Sequence, residues 1–400
     1  MSVSPSNDSN SKSSRAGTER NEFKEKTYKG LFTQIDNSAL IVFRIIFGLL
    51  MAIEAIGAIF TGWVEKAFIE PQFTFNFIGF DFLQPLPGNG MLWYYGIMGL
   101  FALFVMLGYK YRWSMLAFTL MWAGVYLMQK ASYNNHYYLM MLLGFLMIFL
   151  PANRNFSIDS LRNPSLKKIS MPRWCMLLLV LQIWIVYTFA GIAKLYPGWL
   201  NGTVPTLLMK SKADLWLIGP YLQQSWVPVA MTWFGIFFDL MIIPLLFLKR
   251  TRIFALIISL FFHLFNSFVF QIGIFPYLSL AFILFFFSPK KINSIFLRKK
   301  PFYNKNKIIV PSYHKILVFF LGTWFIIQLA LPMRHWFFKD DVLWTEEGHR
   351  LSWRMMLRAK SGKTEFEVVD KRTGEIFEIE EKEFLTGNQL SSMAGKPDMI

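Results

Sequence analysis

Cysteine is all but missing from this chain: Cys175 stands alone among 400 residues. No intrachain disulfide can form, and nothing about an oxidising compartment can be read. Charge is scarce as well. Charged side chains make up 16% of the chain against 54% hydrophobic, and mean hydropathy is +0.38, which excludes an ordinary soluble domain of this length. Acid is the scarcer sign, 25 residues against 41 basic, for a net charge of +16. No soluble module interleaves aromatic and basic residues, so this charge is not read as nucleic-acid binding. No short apolar segment with a small-residue cleavage site precedes the first long apolar block, which is therefore expected to act as an uncleaved anchor. No internal repeat with a period of roughly 20 to 50 residues is discernible.

What is present points to a polytopic α-helical membrane protein. The 43 Phe and 14 Trp suit lipid-facing and interfacial positions, since they bury large surfaces without orphaned polar groups. Nine apolar blocks, near 39–62, 91–108, 113–129, 137–151, 174–194, 227–248, 253–270, 272–288 and 315–333, are read as crossings of a hydrocarbon layer about 30 Å thick. The seventh and eighth run together around Asn266, Gly273 and Pro276 and could instead form a re-entrant hairpin. An N-terminus inside the cell places 24 Lys and Arg on the cytoplasmic side and only five, Lys66, Lys130, Lys194, Lys210 and Lys212, in the opposite loops. That asymmetry obeys the positive-inside rule, and anionic headgroups of the lipid bilayer account for the basic excess.

Three regions follow. Residues 1–37, rich in Ser, Asn and charge, are expected to be disordered and cytoplasmic. Residues 38–333 form the transmembrane helical domain. Residues 334–400, with 11 basic and 13 acidic residues, are expected to form a small β-rich domain on the extracytoplasmic side that leans on the membrane part for stability. Period-2 alternation in 364–369 and 375–380, joined by Asp370-Lys-Arg-Thr-Gly374, predicts a β-hairpin there.

Charged and polar residues inside apolar blocks are the functional candidates. Arg44 and Glu54 fall in the first block, Asp239 deep in the sixth, and His263, Asn266 and Ser267 on one side of the seventh. A charge at the bilayer centre costs at least about 2.5–3.5 kcal/mol, so each should face the bundle interior and find a partner. Arg44, Glu54 and Asp239 read as structural ion pairs or hydrogen-bond clamps. Proton-coupled transport would need carboxylates along a path across both leaflets, and the spacing shows none. Lys194 directly follows an uncharged run from Trp174 to Ala193. It is either a snorkelling anchor or a base whose charged form burial has made costly. His136, in Ser132-Tyr-Asn-Asn-His136, falls on the same expected outer side. It could donate to a developing oxyanion, with Asn134 or Asn135 orienting it.

Several stretches then resemble one family. They are Phe43-Arg44-x-x-Phe47-Gly48-x-x-Met51, Ser132-Tyr-Asn-Asn-His136-x-Tyr138-Leu, Gln182-Ile-x-Ile-Val-Tyr187-x-x-Ala190-Gly191-x-x-Lys194-Leu195, Phe262-His263-x-x-Asn266-Ser267-x-x-Phe270-x-Ile272-Gly273-x-Phe275-x-Tyr277 and Gly348-x-x-x-Ser352-Trp353-x-Met355-Met356. Together these resemble the vitamin K-dependent gamma-glutamyl carboxylases, in the form of a bacterial-type HTTM-domain membrane protein, over most of residues 35–380. The resemblance implies a carbon-carbon lyase that oxygenates vitamin K hydroquinone to its epoxide with O2. The strong base so generated removes a γ-carbon proton from glutamate, CO2 adds to the carbanion, and no metal takes part. It implies Lys194 as the base that deprotonates the quinol and His136 as the stabilising histidine. It further implies His263, Asn266 and Ser267 around the quinol, where Asn134 and Asn135 are placed as well, and position along the chain puts Ser352 and Trp353 near the glutamate-bearing substrate. Implied partners are a glutamate-containing peptide or protein acceptor and a quinone reductase that supplies reduced quinone. The compact tail without disulfides points to a bacterial inner membrane. The chain departs from the animal enzymes in having Ala193-Lys194 in place of tandem lysines, and in its short tail. Quinol epoxidation without a protein acceptor, or a non-catalytic transporter or receptor on the same scaffold, are the competing readings.

Overall fold

The computed structural model describes residues 25–358 and 360–400. The first 24 residues of the segment expected to be disordered lie outside that range. Residues 25–37 do not follow the expectation: 25–32 are helical with Phe32 fully buried, and β1 (Gln34–Asp36) pairs antiparallel with β2 (Ser170–Pro172), Ile35 opposite Met171. A buried ion pair between Lys300 Nζ and Asp36 Oδ2 at 2.8 Å fixes the same corner. Three separated stretches of chain thus converge where a composition-based reading saw only polarity, and tertiary pairing overrides local preference.

All nine apolar blocks are helical. They are α1 (Ser38–Phe60), α2 (Gly90–Leu107), α3 (Tyr111–Met128), α4 (Asn135–Phe149), α5 (Arg173–Ile192), then, after the short α6 (Thr203–Lys210), α7 (Trp226–Phe247), α8 (Arg252–Phe270), α9 (Phe275–Phe282) and, past α10 (Pro289–Phe296), α11 (His314–Met333). Six of them, α1, α2, α5, α7, α8 and α11, are long and apolar enough to cross a membrane. The other three fall short for different reasons. α3 has the length but carries Arg112 and several polar side chains. The 15 residues of α4 span about 22 Å, and α9 with its 3-10 extension to Phe286 about 20 Å, both below the roughly 30 Å of hydrocarbon.

Small residues set how closely the helices approach. A Cβ on Gly48 of α1 would meet the backbone of Met106 in α2, and one on Gly99 would lie 2.7 Å from Ile56 Cγ1. The two helices therefore pack backbone to backbone, as membrane helices do where no hydrophobic drive separates side chain from lipid. Around α1 the main core is largely aromatic and aliphatic, with Phe43 against Phe282 and Phe285, and Phe47 edge-on to Phe118.

The tail holds the expected hairpin. β3 (Phe366–Val369) pairs antiparallel with β4 (Ile376–Ile379), Phe366 opposite Ile379. Asp370 closes the turn by accepting from the amides of Arg372 and Thr373, with Gly374 at φ +74°. The tail is not otherwise β-rich among the described residues; helical turns and α12 (Gly387–Met393) make up its remaining regular structure. Its contacts to the membrane part are polar and numerous: Gln389 to the Phe73 carbonyl, Ser392 to the Ala131 carbonyl, Lys130 to Asp398 at 3.3 Å, and Tyr133 OH accepting from the Leu351 amide.

Candidate active site

Lys194 lies just beyond α5, where the chain turns toward the short helix Pro197–Leu200. Two glycines determine where its side chain goes. At Gly191 a Cβ would stand 2.7 Å from Leu240 Cδ2 and 3.3 Å from Asp239 Cβ, so its absence lets α5 and α7 close up. At Gly235, one turn before Asp239, the open surface is covered by Lys194 Cε at 3.8 Å. The stem therefore lies along α7 and delivers Nζ to Asp239 Oδ2 at 2.5 Å. Nζ also donates to the Ala190 carbonyl at 3.3 Å and sits 5.5 Å from the Trp199 ring centroid. Lys194 is 8% exposed and Asp239 5%. Such a pair is costly to desolvate and more costly still to break.

The pair opens on a cavity of about 560 Å³ with almost wholly apolar walls from α5, α7, α8 and the loop after Gly348. Its few polar groups come from separate elements. His136 from α4 stacks on Phe275 at 4.0 Å and 20°. His263 from α8 shares a 2.8 Å hydrogen bond between Nε2 and Tyr187 OH, while its buried Nδ1 has no partner. Asn266 joins them one turn along α8. A large apolar chamber with few convergent polar groups is the ordinary form of a small-molecule site. Among the described residues no three His, Cys, Asp or Glu side chains are grouped to hold a metal ion.

Residues 32–290 match the family model of the HTTM domain, and residues 313–400 match that of the vitamin K-dependent gamma-carboxylase, lumenal domain. The chain belongs to the vitamin K-dependent gamma-carboxylase family. No solved structure matches it.

Measured against what the gamma-carboxylase resemblance implied, the structure brings Lys194, His136, His263 and Asn266 to one cavity. Five other residues point elsewhere. Asn134 caps α4 by accepting from the Tyr137 amide at 2.7 Å. Asn135 donates to the Arg354 carbonyl at 3.0 Å and accepts from Tyr133 OH. With these bonds made, neither orients His136. Ser267 turns outward to Tyr277 OH at 3.0 Å. Trp353 is buried against Tyr138, ring centroids 4.9 Å apart, and does not line this chamber. Ser352 keeps its hydroxyl 2.6 Å from the Gly348 carbonyl and borders a different cavity. Of the loop's residues, Met355 and Met356 face the chamber.

The three intramembrane charges also part company. Arg44 is a clamp: Nη1 donates to the Ala152 carbonyl at 3.0 Å and Nη2 to that of Phe156 at 2.5 Å. Glu54 accepts from Tyr137 OH at 2.8 Å. Asp239, read from sequence as a structural ion pair or clamp, has Lys194 as its ion-pair partner. Its only sequence signal was a carboxylate deep in an apolar block, which says that a partner exists and not which one.

Proposed function

We propose that this protein is a vitamin K-dependent gamma-carboxylase, oxygenating vitamin K hydroquinone to the epoxide with O2 and coupling that reaction to carboxylation of glutamate by CO2. The observation that carries the reading is the buried Lys194–Asp239 pair in the wall of an apolar cavity of about 560 Å³. A lipid-soluble quinol fits such a chamber: its apolar body matches the walls, and its hydroxyls match the few polar groups there, the Lys194–Asp239 pair foremost. When bound, the quinol supplies an acidic hydroxyl and, on oxygenation, a base strong enough for a γ-carbon proton.

The chain's own groups then have defined tasks. Lys194 Nζ takes the hydroxyl proton while Asp239 Oδ2 accepts one from Nζ. The negative charge leaves the carboxylate and reappears on the substrate oxygen, beside an ammonium that persists throughout. No net charge is created in a low-dielectric chamber, which is the main barrier to such a step there. His136, held flat against Phe275, borders the same cavity and has the role of stabilising the charge that develops there. The apolar walls exclude water that would quench a strong base.

The rest of the reading follows the positive-inside asymmetry. α3, α4 and α9 complete nine crossings by leaning on their neighbours, the N-terminus is cytoplasmic, and site and tail face outward across a bacterial inner membrane. A quinone reductase in the same bilayer regenerates the quinol.

The test is turnover by the purified, detergent-solubilised chain given vitamin K hydroquinone, carbon-14 bicarbonate and a short glutamate peptide. Epoxide and fixed label together are expected, both abolished by Lys194→Ala. Epoxide without label would replace the carboxylase reading with quinol epoxidation alone. Neither product from folded protein would overturn both.

A further inference from the structure

Three arginines follow the Gly348 turn at intervals of four, and only two of them are neutralised. Arg350 is ion-paired with Asp398, and Arg358 with Glu346. Arg354 makes no ion pair among the described residues. It is 7% exposed, its Nε is buried without a hydrogen-bond partner, and its Nη1 lies 3.3 Å from His335 Nε2. His335 Nδ1 is 2.7 Å from the Pro332 carbonyl. That contact makes Nδ1 the protonated nitrogen and leaves Nε2 to accept from Arg354. A guanidinium carries five donors, and Asp341 and Glu346 act on this one without an ion-pair contact to it, so a carboxylate arriving in direct contact would offset the cost of its burial.

The space for that ligand is adjacent. Arg354 borders a second cavity of about 500 Å³, with far more polar walls than the first. Lys339 stands at its rim, together with Asp340 and with Asp341, whose carboxylate accepts from the Leu343 amide. The two cavities lie back to back. Ala193 and Tyr196 border the second while Lys194 between them borders the first, and Ser352 and Arg354 border the second while Met355 and Met356 border the first. The loop that separates them is held in an unusual shape, with left-handed φ at Leu351, Trp353 and Met356 of +59°, +57° and +54°. Arg354 thus sits between two residues whose backbones fix where its side chain goes.

We propose that Arg354 and the second cavity form a recognition site for a planar carboxylate, supplied either by an acidic side chain of the acceptor docked beside the reacting one or by bicarbonate. The guanidinium fork matches such an anion in two parallel hydrogen bonds. The assignment rests on the carboxylase reading for its choice of anions, and its test needs no turnover.

Binding of fluorescent peptides to the full chain in detergent is measured without quinol, comparing a peptide with a single glutamate against its glutamine counterpart, with bicarbonate as competitor. The wild type is expected to prefer the glutamate peptide by about tenfold to a hundredfold, the range for a charge-assisted bond to a buried partner. Arg354→Gln removes the preference, and Arg354→Lys retains part of it. Lys339→Glu, at an exposed position that leaves packing untouched, weakens the glutamate peptide alone and keeps the test valid should the Arg354 variants fail to fold. If bicarbonate displaces the glutamate peptide in an Arg354-dependent way, both anions use the site. If the two peptides bind alike but a bicarbonate-induced shift in tryptophan fluorescence needs Arg354, the anion is bicarbonate. Equal peptide affinities with no bicarbonate effect, or a preference unchanged by the variants, would overturn the assignment. Loss of turnover with the preference intact would instead count against the carboxylase reading alone.

Discussion

Replacing Asp239 separates a structural ion pair from a working one. In Asp239→Asn the Lys194 ammonium keeps the Ala190 carbonyl at 3.3 Å and the Trp199 ring at 5.5 Å but loses the carboxylate at 2.5 Å. Stranding one member of a buried pair costs about 3–5 kcal/mol. The surviving contacts place Asp239→Asn at the lower end of that range, about 3 kcal/mol. Replacing both members with apolar groups of similar size, Lys194→Met with Asp239→Leu, removes the stranded charge. It should return stability to within about 1 kcal/mol of wild type or above it. Activity follows a different pattern. If the pair moves the proton, turnover falls by about 10²–10⁴-fold in each single variant and stays lost in the double, because general-base catalysis is removed in all three. Thermal melting in detergent followed by tryptophan fluorescence, beside epoxide formation per folded molecule, reads both quantities. A double variant that regained turnover with its stability, or an Asp239→Asn protein unchanged in both, would refute the reasoning.

Further outcomes follow from single contacts. Gly191→Ala places a Cβ 2.7 Å from Leu240 Cδ2 and 3.3 Å from Asp239 Cβ. It should cost about 1–3 kcal/mol by overpacking and reduce turnover further by displacing Asp239 from Lys194, as stability and epoxide assays on one preparation will show. Arg44→Met leaves the Ala152 and Phe156 carbonyls without a donor. Each lost bond costs about 1–3 kcal/mol, so melting temperature should fall while turnover per folded molecule holds. His349 in the tail is pushed down from 6.5 to about 2 by burial and then by the Arg358 charge, whose Nη1 lies 2.7 Å from its Nε2. A histidine that folding keeps neutral takes up more protons when unfolded. Its contribution is therefore complete above about pH 6.5 and is lost as pH falls below that value. Hydrogen exchange of residues 346–358 should quicken between pH 6.5 and 5 in the wild type, and His349→Gln should flatten that response.

Patterns carried along the chain were legible in the sequence, and pairings across it were not. Apolar block length located the nine apolar helices of the membrane part, though not the short α6 and α10 between them, because a helix satisfies its backbone internally wherever water is excluded. Period-2 alternation likewise found the β3–β4 hairpin. The corner built from β1, β2 and the Lys300–Asp36 pair escaped notice because its members are separated by more than 130 residues and each is locally polar. Asp239 was visible as a carboxylate in need of a partner and Lys194 as an ammonium in need of an explanation. Their 45-residue separation is closed by Gly191 and Gly235, whose effect depends on which helices neighbour each other. Polar residues close to His136 in sequence misled for the opposite reason. Asn134 and Asn135 lie beside it in the chain, yet a helix start has amides to cap and a docked tail has carbonyls to hold, and those demands engage the Asn134 oxygen and both ends of the Asn135 amide. Arg354 adds a different case. Nothing distinguishes it in sequence from Arg350 and Arg358, and only the placement of Asp398 and Glu346 beside those two leaves Arg354 as the one still to be matched. The informative residues are thus the buried charges that the fold leaves in unusual company: Lys194, paired where a bare base was expected, and Arg354, which makes no ion pair among the described residues.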